Sequence, residues 1–74
     1  MNDFETYLTR ERGMTARSAH HVAERLAKVE ALIGPGAPNA ERERQFRRRA
    51  RGTLSPDDIA ECVDAMHMRA QYAH

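Results

Sequence analysis

Seventy-four residues make one domain with a small core, since a chain of about 60 residues buries only about 60% of its unfolded surface. An apolar fraction of 41% argues against disorder, and no run nears the about 20 apolar residues of a membrane span. The formal net charge is only +1, yet six of the eleven arginines crowd between Arg42 and Arg51, while Asp57 to Asp64 holds four acids and no base.

The spacing predicts four helices and no strand. The first runs from about Asp3 to Arg12. Asn2 or Asp3 can cap it, Glu5 suits the positive end of the helix dipole, and Gly13 is a natural stop. Phe4, Tyr7 and Leu8 form its apolar patch.

The second helix is the longest periodic stretch, Thr15 to Gly34. Ala19, Val22, Ala23, Leu26, Val29 and Ile33 recur at steps of three and four, which places them on one stripe with Leu26 at its centre. Thr15 caps its start; Gly34 and Pro35 end it. Arg17, His21, Glu24 and Lys28 occupy the opposite face.

Two glycines and two prolines make Gly34 to Ala40 a loop. Asn39 caps a third helix, about Ala40 to Arg51, whose main apolar residues are Phe46 and Ala50; Gly52 ends it. Ser55-Pro56-Asp57-Asp58 then carries a cap, a proline at the first helical position and two first-turn acids. The fourth helix runs from Pro56 to about Gln71, with Ile59, Cys62, Val63, Met66 and Ala70 on one face and Asp57, Glu61 and Asp64 on the other. The fold class that follows is all-α, a small bundle of four helices in a single domain spanning residues 1–74, with a weakly apolar third helix.

Phe4-x-x-Tyr7-Leu8, then Gly13-Met14-Thr15-Ala16-Arg17-Ser18, then the helix through Leu26, and finally Leu54-Ser55-Pro56-Asp57-Asp58-Ile59 come in an order that resembles the SAM-like N-terminal core-binding domain of tyrosine recombinases and phage integrases. The resemblance implies a small helical fold. A protein of this type is expected in a phage or another mobile element.

The arginine cluster is the sharpest candidate for function. Arg44, Arg47, Arg48 and Arg51 stand at i, i+3, i+4 and i+7, one stripe of the third helix able to neutralise several phosphates. Arg42 and Arg49 fall on another face. Arg17 and Lys28 extend the candidate surface onto the second helix. The alternative is internal pairing of these arginines with Glu41, Glu43 and the acidic face of the fourth helix. Four histidines and one cysteine show no metal-ligand spacing, so neither a metal nor another cofactor is expected. Cys62 lies on an apolar stripe and reads as a buried thiol rather than a nucleophile. Met14 and Met68 fall off the main stripes, where they are free to touch a partner.

These features predict a non-enzymatic binding module that recognises nucleic acid through its phosphate backbone. The alternative is a small protein-binding regulator or inhibitor, such as a phage-encoded one acting on a host nucleic-acid enzyme or defence complex, which docks on an acidic surface of a larger assembly. One cysteine and a charged N-terminus without an apolar core predict a cytoplasmic protein.

Overall fold

The computed structural model describes residues 3–72. Four helices follow one another: α1 (Asp3–Arg10), α2 (Ala16–Ile33), α3 (Ala40–Ala50) and α4 (Pro56–Tyr72). Among the described residues there is no strand, only a single isolated bridge between Arg51 and Leu54 in the α3–α4 turn. No helix is long and apolar enough to cross a membrane.

Three helices start where a side-chain oxygen satisfies a free backbone N–H. Ser18 donates its N–H to Thr15 Oγ1 at 3.1 Å, Arg42 to Asn39 Oδ1 at 2.9 Å, and Asp58 to Ser55 Oγ at 3.1 Å. Asn2 as a cap of α1 lies outside the described residues. The first helix is two residues shorter than its spacing predicts. The chain leaves it after Arg10, and the Met14 N–H reaches back to the Leu8 carbonyl at 3.1 Å. Arg12 is thereby released from the helix and donates to Gln71 Oε1 on α4. Gly34 ends α2 at φ +80° and ψ 167°, its N–H bonded to the Glu30 carbonyl at 2.8 Å. That backbone region is open essentially to glycine alone.

The core has two parts. Val29, Phe46, Ala50, Cys62, Val63 and Met66 form one cluster between the C-terminal half of α2, α3 and α4. Phe4, Leu8, Ala19, Val22 and Ala65 form the other, with Tyr7, Met14, Met68 and Tyr72 packed against it. The N-terminal half of α2 thus faces the C-terminal half of α4 and the reverse, so the two long helices run antiparallel. Arg25 of α2 and Glu61 of α4 pair at 3.0 Å along this seam. Leu26 touches both clusters but is only half-buried, not the centre of a buried stripe. Met14 and Met68 are likewise half-buried, packed against the second cluster. Phe46 and Ala50 are both fully buried, so α3 is firmly seated despite its few apolar residues.

Candidate nucleic-acid interface on the third helix

The helical period of α3 decides which of its arginines meet solvent. Arg42, Phe46 and Ala50 turn inward at i, i+4 and i+8, with Phe46 and Ala50 fully buried and Arg42 half-buried. Arg44, Arg47, Arg48, Arg49 and Arg51 are exposed. Arg44, Arg47 and Arg48 of the stripe lie within α3, whereas Arg51 follows its last residue as the C-cap, extended at φ −60° and ψ 125°, one residue short of the helix end that the spacing predicts.

Two of the five exposed guanidiniums have partners on the same helix. Arg44 Nη2 lies 2.7 Å from Glu41 Oε2, and Arg47 Nε lies 3.5 Å from Glu43 Oε2. The Arg44 hydrogen bond, reinforced by its charge, holds the Glu41 carboxyl below its ordinary value. Exposed pairs at these spacings are weak and screened by solvent, so either can be exchanged for a phosphate. Arg48, Arg49 and Arg51 make no ion pair within 4 Å among the described residues, although the Arg48 charge also helps to lower the Glu41 pKa. The acids of α4 do not neutralise them. Glu61 pairs with Arg25 of α2, and the polar contact that joins α3 to α4 runs from Glu43 Oε1 to His67 Nε2 at 2.6 Å. That hydrogen bond is the main cause that holds Glu43 below its ordinary pKa, with smaller contributions from the His67 charge and from Arg47.

Arg17 and Lys28 are exposed on the polar face of α2, eleven residues and about 16 Å apart. Arg17 lies in the first turn of α2, beside the cluster that α1 completes and at the opposite end from the turns that α3 packs on. It does not join the α3 arginines in one patch. Lys28 stands near the α2–α4 seam, close enough for its charge to act on the Cys62 thiol. Burial outweighs that charge and pushes the thiol pKa up, which leaves Cys62 protonated and a poor nucleophile. No group of three or more His, Cys, Asp or Glu among the described residues is placed to hold a metal ion.

The spacing of the arginines makes the stripe visible in the sequence. Two other arginines carry no such signal and are placed by the tertiary structure alone. Arg42 folds back on the α2–α3 loop and donates to the Gly34 carbonyl. Arg69 of α4 lies over the rings of Tyr72 at 4.9 Å and Phe4 at 5.7 Å. Compared with known proteins, the chain matches no family model, no curated protein and no solved structure.

Proposed function

We propose that this protein is a non-enzymatic binding module that engages nucleic acid through its phosphate backbone. Arg44, Arg47 and Arg48 of α3 and Arg51 at its C-cap make the contacts, and Arg49 stands beside them. The observation that carries this reading is the composition of the exposed face of α3. That face and its C-cap present five guanidiniums, of which Arg48, Arg49 and Arg51 make no ion pair within 4 Å among the described residues. A guanidinium donates two parallel hydrogen bonds to phosphate oxygens, and such contacts fix a protein on a strand without reading its sequence. Nothing in the packing needs these charges, because Phe46 and Ala50 anchor the opposite face.

The test is fluorescence anisotropy with a labelled duplex at several salt concentrations. Neutralisation of one phosphate each by Arg44, Arg47, Arg48 and Arg51 gives a log–log salt slope of about −3.6. Reversal of Arg48 and Arg51 to Glu is expected to abolish binding and leave the helical circular dichroism unchanged, since both side chains are exposed. Absence of binding at low salt rejects the reading.

A further inference from the structure

A cleft of about 260 Å³ opens between α2, α4 and the loop 36–38. Leu26, Ala37 and Pro38 supply apolar surface over the buried Val29 and Met66, and Arg42, Arg69 and Glu30 supply charge. None of the stripe arginines lines it. Its volume is below the about 300–1,000 Å³ of most small-molecule sites; it accommodates one or two side chains rather than a cofactor.

Both arginines of the cleft are held in place by something other than an acid. Gly36 covers Arg42 so closely that a Cβ there would sit 2.9 Å from its Cζ. Nη2 of Arg42 donates to the Gly34 carbonyl, while its Nε is buried without a hydrogen-bond partner among the described residues. Arg69 is fixed by its contacts with the Tyr72 and Phe4 rings. Neither has a carboxylate within 4 Å among the described residues. A pre-set guanidinium beside apolar surface is the usual chemistry of an interface anchor pocket.

We infer that this cleft docks a protein segment that presents a large apolar side chain beside an Asp or Glu carboxylate. The apolar side chain covers Leu26, Ala37 and Pro38. The carboxylate takes the free N–H groups of Arg42 and Arg69. Glu30 decides between anions: its charge repels a run of phosphates, whereas a single carboxylate is held on the arginine side of the cleft. This inference is independent of the nucleic-acid reading, which uses the outer face of α3.

The test is selection from a random dodecapeptide display library against the intact protein, followed by anisotropy with one labelled, enriched peptide. The expected result is enrichment of sequences with Asp or Glu next to Leu, Met or an aromatic residue. Arg69→Gln weakens the selected peptide by about tenfold, the loss of one charge-assisted contact. Glu30→Gln tightens it several-fold, and because Glu30 is exposed and makes no contact that this change removes, that variant decides the matter if Arg69→Gln impairs folding. Arg48→Glu leaves peptide binding unchanged. The inference is overturned by no enrichment, by enriched peptides without acids, by affinities that Glu30→Gln leaves unaltered, or by displacement of the peptide by duplex DNA.

Discussion

Phe46 is the largest fully buried side chain and the only aromatic in the cluster it shares with Val29, Cys62 and Met66. Truncation to alanine is expected to cost about 3–5 kcal/mol. A domain of this length has a total stability of about 4–11 kcal/mol, so the variant should be close to unfolded, as urea titration will show. Gly34 tests a different term. A Cβ at that position meets nothing within 4 Å, yet the backbone stands at φ +80° and ψ 167°. Gly34→Ala therefore isolates strain without a clash, and a loss of about 1–3 kcal/mol in the same titration is expected. The caps Thr15, Asn39 and Ser55 are legible in the sequence because capping is local chemistry within four residues. The half-burial of Leu26, Met14 and Met68 is not, because it depends on which helix lies over each of them.

Among the elements, α3 shows how few apolar residues a helix needs when they are placed well. Its sequence suggests a weakly held helix. Two fully buried residues and the Glu43–His67 contact seat it on α2 and α4. The arginine stripe is readable as a spacing, but the fate of its charges is not. Which acid meets which base follows from the antiparallel run of α2 and α4, and that arrangement gives Glu61 to Arg25 and Glu43 to His67. The Glu43 contact makes a pH prediction. Its carboxyl titrates below the ordinary 4.5 in the folded protein, so it contributes stability above that value and loses it as pH falls through the lower folded-state value. Glu43→Gln should thus lower the urea midpoint at neutral pH, and the gap from the parent protein should close on acidification below pH 4.5. A gap that stays constant with pH counts against the contact.

At the scale of the molecule, two clusters share two helices. Both tyrosines, Tyr7 and Tyr72, pack against the cluster that lacks Phe46. Because α2 and α4 run through both, loss of one cluster removes the support of the other. Unfolding followed by tyrosine fluorescence and by circular dichroism should coincide. A milder core change, Phe46→Leu, should move both transitions equally although no tyrosine touches residue 46's cluster. Two separate midpoints would show that the halves melt independently. The single thiol then acquires a use as a clock. Cys62 is 1% exposed and held protonated by burial, so a disulfide reagent reaches it only while the domain is open. One thiol per chain gives one signal without any label being introduced. The ratio of the native labelling rate to the rate in urea equals the open fraction when closing outpaces the reagent, and this ratio can be read in dilute lysate, where no denaturation curve can be recorded.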